Sequence, residues 1–336
     1  MKFSAVSLVL ALGVSLCSCS RSASPGAGAS LSPSRVITER WSSESLGVDK
    51  RVVIYLPRGY DSQPARRYPV FYYLHGLGGD ESNWVDGGKL DQVADELQLE
   101  AIVVMPDGDD DFYIDSPQPS DLEACLASGQ GLYGAGHSDP ATTCVRRRFY
   151  ETYIASDLLR WIDARYRTIA AREGRGIAGL SMGGFGAMAL ALRHPDLFSA
   201  AASHSGAVAQ LYEGPRPFVP GRVRQATALP IAQLQRSVIG AWLLRVFGDE
   251  LEGWRKYDVV ALAEHLKPGE LALYFDCGTE DGFQLDDNLR YVDEVLTARQ
   301  LEHEVFLGPG RHDFGFWRER LPHSLAFLRA HVARAR

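Results

Sequence analysis

The chain has 336 residues, 46% of them hydrophobic, with 35 Lys and Arg against 42 Asp and Glu for a net charge of −7. The apolar share is ample for one domain built on a central sheet covered on both faces. The acidic balance with scattered basic residues argues against a nucleic-acid partner, and no internal repeat is visible.

Met1-Lys2-Phe3 and the uncharged apolar run to Leu16 are too short for an ordinary membrane span and read as a secretory signal, residues 1–19. Leu16-Cys17-Ser18-Cys19 resembles a bacterial lipobox, with Leu three positions before Cys19 and a small Ser directly before it, so Cys19 is expected to carry a lipid. Cys17 fits less well because Leu16 precedes it, and cleavage near Cys19 or Ala23 with free export is the alternative. The address expected is the bacterial periplasm or cell surface, with membrane contact only through that anchor. Residues 20–34 are almost entirely Ser, Ala, Gly and Pro and read as a flexible tether, with a root-mean-square reach of about 20 Å. The globular domain, 35–336, opens with strand expectations at Val36–Trp41 and Arg51–Leu56.

Pro69 to Leu74 reads as a strand emptying into the glycine turn His75-Gly76-Leu77-Gly78-Gly79. Asp107-Gly108-Asp109-Asp110-Asp111 invites a calcium reading, but Phe112 stands where an EF-hand loop needs glycine and the distal glutamate is missing, so a solvated or cleft-edge loop is the expectation. No Cys/His set has zinc spacing, and the chemistry expected needs neither metal nor cofactor. Asp115 to Arg148, rich in Ser, Gly and Pro, reads as an insertion near the cleft. In an oxidising compartment its Cys125 and Cys144 are expected to pair. Trp84, Phe112 and Tyr113 are candidates to line an aromatic-accepting cleft, with core packing as the alternative for each.

A short apolar strand then runs into Gly179-Leu180-Ser181-Met182-Gly183 and the small-residue helical run Ala187–Leu192, which is the strand, sharp turn and helix of a nucleophile elbow. Ser181 is the candidate nucleophile. Residues 207–267, Pro-rich coil followed by helical stretches around Trp242–Leu244 and Val259–Leu266, read as a cap over the site. Leu271–Phe275 reads as a buried strand, and Asp281 in the loop beyond it is the candidate acid; Asp276 and Glu280 are its rivals. Cys277 reads as a small buried hydrophobe. His303–Leu307 reads as the last strand, followed by Gly308-Pro309-Gly310 and His312, the candidate base. Among nine histidines its rivals are His204 and His137. Apolar stripes at Ile154, Leu158, Trp161 and Ile162, at Leu285, Leu289, Val292 and Leu296, and at Trp317, Leu321, Leu325 and Leu328 supply covering helices.

The order Ser, Asp, His with each residue in a loop after a strand is that of an α/β-hydrolase. A serine hydroxyl is a weak nucleophile, so an imidazole must take its proton and a carboxylate must orient that imidazole. The oxyanion donors expected are the backbone N–H groups of Met182, directly after the nucleophile, and Leu77 in the glycine turn.

At this point the chain resembles the esterase D and antigen 85 branch of the α/β-hydrolases, which includes feruloyl esterases, tributyrin-type esterases and S-formylglutathione hydrolases. The resemblance is carried by Leu74 to Gly79 with Asn83-Trp84, Val104 to Gly108, Tyr150 to Ile154 through Asp157-Leu158 to Asp163, Gly179 to Ala187, Gly278 to Asp281, and Gly310 to His312 with Trp317. It implies Ser181, Asp281 and His312 as the triad, Leu77 and Met182 as oxyanion donors, and a mostly parallel sheet with helices on both faces. The insertion is longer than expected for simple members of that branch. The function expected is hydrolysis of small-molecule or glycan-linked carboxylic esters. An acyltransferase using an alcohol acceptor and, from another class, a non-catalytic binding protein on the same fold are the alternatives.

Overall fold

The computed structural model describes Met1 and residues 31–128 and 139–336. The expectations placed on the signal, on most of the tether, on Cys19 and on His137 lie outside the described residues.

The strands are β1 (Arg35–Ser43), β2 (Val48–Leu56), β3 (Val70–Leu74), β4 (Ile102–Pro106), β5 (Arg175–Leu180), β6 (Ala200–His204), β7 (Tyr212–Glu213), β8 (Arg224–Gln225), β9 (Ala272–Gly278) and β10 (His303–Gly308). Eight of them form one sheet in the order β1-β2-β4-β3-β5-β6-β9-β10, while β7 and β8 pair separately. From β4 across to β10 every neighbouring pair is parallel; β2 is antiparallel to both β1 and β4.

Strands β3 (VFYYL) and β4 (IVVMP) are buried at every position. Unbroken apolar runs are what a parallel sheet covered on both faces requires. Successive side chains divide between two cores. Val70, Tyr72 and Leu74 pack with the helix Met182–Arg193, whereas Phe71 and Tyr73 pack with Trp84, Leu90 and the C-terminal helix Phe314–His331. Because β3, β4, β5, β6, β9 and β10 run the same way, the loops that follow them gather along one edge of the sheet. In open α/β sheets that edge is where ligands bind.

Two expectations are refined here. The segment 207–267 is not all cover. Its last part buries Trp254, Tyr257, Val259, Val260 and Ala263, and its helix Val259–Ala263 packs against Met182–Arg193. A parallel step from β6 to β9 needs a crossover that covers the sheet face, and this stretch supplies it. The insertion is closed by a bridge between Asp115 and Phe149 and joined by the disulfide Cys125–Cys144, with Cα atoms 5.6 Å apart.

Candidate active site

Ser181 stands between β5 and the helix Met182–Arg193 with φ +53° and ψ −115°. Backbone strain of this kind costs about 1–3 kcal/mol and persists only where the surroundings over-determine it. Here Ser181 N donates to His204 O (2.8 Å) and Ser181 O accepts from Phe185 N (3.0 Å). The flanking glycines allow the close approach. A Cβ on Gly179 would lie 2.3 Å from Gly183 O, and one on Gly183 would lie 2.4 Å from Leu74 O.

His312 arrives on the turn after β10. Its Nε2 is 2.9 Å from Ser181 Oγ, and its Nδ1 is 2.7 Å from Asp281 Oδ2. The imidazole edges against Phe283 on one side and Trp317 on the other, at centroid distances of 4.8 and 5.0 Å. Asp281 is held in turn, its Oδ1 accepting from Phe283 N at 2.8 Å and its Oδ2 lying 3.6 Å from Cys277 Sγ. Burial, followed by the nearby Asp281 charge, pushes the Cys277 thiol well above its ordinary value. The acid and base loops are tied by Thr279 N to Gly308 O (2.8 Å) and Glu280 N to Gly310 O (2.9 Å). Glu280 itself points outward, 3.6 Å from the exposed Arg311.

The rivals Asp276 and His204 meet each other instead. They are register partners across β9 and β6. His204 Nδ1 lies 2.8 Å from Asp276 Oδ2, and its Nε2 lies 2.8 Å from Ser324 Oγ in the C-terminal helix. His204 and Ser324 are fully buried and Asp276 is 1% exposed.

The turn after β3 lies against the nucleophile, since a Cβ on Gly76 would stand 3.4 Å from Ser181 Cβ. Within it, His75 Nδ1 donates to Gly76 O and Nε2 accepts from Gly108 N, both at 2.8 Å. Gly79 N donates to Gly76 O (3.0 Å) and Gly78 N donates to Asp110 Oδ1 (2.6 Å). Among the described residues the Leu77 N–H meets no acceptor. Met182 is the first residue of its helix, so its N–H has no intrahelical partner.

Each carboxylate of the acidic run is occupied by the protein. Buried Lys50 lies 2.8 Å from both Asp107 and Asp109 and donates to Thr142 O of the insertion at 3.1 Å. Burial works against the Asp107 charge, but Lys50 and then His75 hold its carboxyl well below the usual range. Burial, with the Asp107 charge, pushes Asp109 up to about 7 against the pull of Lys50. Asp111 pairs with buried Arg148. Sequence reasoning missed Lys50 because a lysine in VDKRVVIYL carries no local sign of facing inward.

The three aromatic candidates for cleft lining are corrected. Trp84 is 1% exposed, donates from Nε1 to Leu74 O (2.9 Å) and packs edge-on against Tyr73. Tyr113 is 1% exposed, with its hydroxyl donating to His75 O at 3.0 Å. Phe112, 5% exposed, packs against Phe185 and Phe247. Burying an aromatic ring is worth more than leaving it at a wet mouth, and the polar ends of Trp84 and Tyr113 find backbone carbonyls. The exposed ring at the site is that of Phe283, which lies in the unpatterned turn after Asp281 and had no sequence signal.

The family model described as "Putative esterase" matches residues 43–328. Esterase Rv1288 of Mycobacterium tuberculosis is 33% identical over 169 residues, which are 50% of this chain and only 31% of that relative's length. Mouse (Mus musculus) S-formylglutathione hydrolase is 25% identical over 251 residues, covering 72% of this chain and 73% of the relative. Among solved structures, a ferulic acid esterase superposes with a TM-score of 0.62 at 25% identity, over 88% of this chain and 98% of that one.

Proposed function

This chain belongs to the Esterase family and has the α/β-hydrolase fold, and from that premise we propose that it hydrolyses carboxylic esters through an acyl-enzyme on Ser181. The observation that carries the reading is the hydrogen-bonded line from Ser181 Oγ to His312 to Asp281, at 2.9 and 2.7 Å. His312 Nε2 takes the hydroxyl proton as Oγ attacks the acyl carbon. Asp281 accepts from Nδ1–H and so fixes the tautomer in which Nε2 is free to act as base, then stabilises the imidazolium. The tetrahedral oxyanion is met by the N–H groups of Leu77 and Met182. His312 returns the proton to the leaving alcohol, and a water activated by the same imidazole cleaves the acyl-enzyme.

Hydrolysis rather than transfer to an alcohol acceptor is supported by the relatives, whose names are those of esterases and hydrolases. The substrate class is small acyl or aryl esters. Export rests on the apolar run before Cys19, and the Cys125–Cys144 disulfide supports an oxidising compartment. Lipid attachment at Cys19 is part of the same proposal.

A p-nitrophenyl acyl series from acetate to palmitate, with the full-length protein beside Ser181→Ala, tests the reading. Chain-length-dependent turnover that Ser181→Ala abolishes supports it. An inert wild type, or a mutant as active as wild type, removes it.

A further inference from the structure

In the acidic run 107–111, Asp110 reaches two further parts of the site. Asp110 is 7% exposed, and its two ends face two different parts of the site. Its carboxylate Oδ1 accepts from Gly78 N at 2.6 Å, in the turn that carries Leu77. Its backbone carbonyl accepts from Trp242 Nε1 at 2.8 Å, in the helix Val238–Phe247 of the cap.

We infer that Asp110 is a positioning residue for the oxyanion turn, holding Gly78 N–H so that the neighbouring Leu77 N–H points at the developing charge, and coupling that turn to the cap through Trp242. The inference rests on the esterase reading. The physical argument is one of competition. Consecutive N–H groups in a glycine turn can rotate together, since glycine resists φ change little. In this turn Gly78 has φ +76°. A carboxylate acceptor for Gly78 N–H is a charge-assisted bond, roughly twice as strong as a neutral one. It fixes the peptide plane beside Leu77 before substrate arrives, which is the preorganisation that makes an oxyanion donor effective. The Lys50 cluster holds the start of the same loop by gripping Asp107 and Asp109, so Asp110 is presented from a rigid base.

The test compares Asp110→Ala, which removes the acceptor, with Asp110→Asn, which keeps an acceptor oxygen. With a p-nitrophenyl ester in the full-length protein, Asp110→Ala is expected to lose kcat on the order of tenfold or more, with KM changed less than about twofold. Binding of a trifluoromethyl ketone, which forms a tetrahedral oxyanion on Ser181, weakens by the same factor. Asp110→Asn stays within about threefold of wild type on both readouts. Equal loss in the two variants, or unchanged ketone binding in Asp110→Ala, would overturn the inference. A variant-free arm keeps it testable should Asp110→Ala fail to fold. In wild-type protein the Gly78 amide should exchange at least about tenfold more slowly than that of Leu77, and equal rates would sink the idea. If wild type cleaves no ester, the esterase reading fails while the exchange rates still decide whether Asp110 holds the turn.

Discussion

Among the described residues, two Ser–His–Asp lines have similar internal geometry. At the cleft, Ser181, His312 and Asp281 are joined by hydrogen bonds of 2.9 and 2.7 Å; at the buried ends of β6 and β9, Ser324, His204 and Asp276 are joined by hydrogen bonds of 2.8 and 3.1 Å. Distances therefore do not separate a site from a strut. Backbone and surroundings do. Ser181 sits on a strained strand-to-helix turn, partly exposed, with the N–H groups of Leu77 and Met182 unengaged among the described residues. Ser324 lies inside a helix, fully buried, and its single hydroxyl proton has three neighbours, namely Leu321 O (3.1 Å), Tyr73 Oη (3.0 Å) and His204 Nε2. The rings of Trp84 and Tyr274 pack around His204. Ser324 is closed off from any acyl group by this packing.

The sharpest way to break this comparison is to delete each serine. Ser181→Ala is expected to lower kcat by on the order of 10⁵ to 10⁶, in a protein whose denaturation curve is nearly unchanged. The acids should divide similarly. Asp281→Asn keeps the shape but lets His312 adopt the wrong tautomer, with a loss in kcat of about 10⁴. Asp276→Ala should instead cost about 3–5 kcal/mol of stability, read from urea denaturation, because it strands the buried Arg320 guanidinium, whose Nε lies 3.7 Å away. Its kcat below the unfolding transition should stay within a few-fold of wild type. The smallest effect expected is that of Ser324→Ala. It leaves Tyr73 and His204 each short of a partner, for about 1–3 kcal/mol of stability and no loss of turnover. If Ser324→Ala or Asp276→Ala abolished turnover in folded protein, the division between site and strut would be wrong.

Much of this was legible because it is local. The strand, glycine-flanked serine and small-residue helix around Ser181 are written in consecutive residues, and Asp281 and His312 follow at the ends of recognisable strands. The choice between Asp281 and Asp276 was weaker, since both lie within a few residues of one strand end. It is the register of β9 against β6 that sets Asp276 opposite His204. The aromatic residues misled for a related reason. A Trp, Phe or Tyr in a loop after a strand can turn to the cleft or to the core, and only the packing partners Tyr73, Phe185 and Phe247 decide. Lys50 and Asp110 were out of reach altogether, because their partners lie 57 and 32 residues away along the chain.

By itself, then, the sequence determined the fold class, the strand–turn–helix around Ser181 and the order of the residues proposed as reactive, since apolar period, glycine placement and strand-end position are properties of neighbouring residues. The tertiary structure alone decided which histidine meets which carboxylate, which serine is buried and which acidic side chain accepts from Gly78 N–H. Those outcomes depend on the relative placement of strand ends and helices far apart in the chain, where hydrogen-bond geometry and burial are set by the whole sheet.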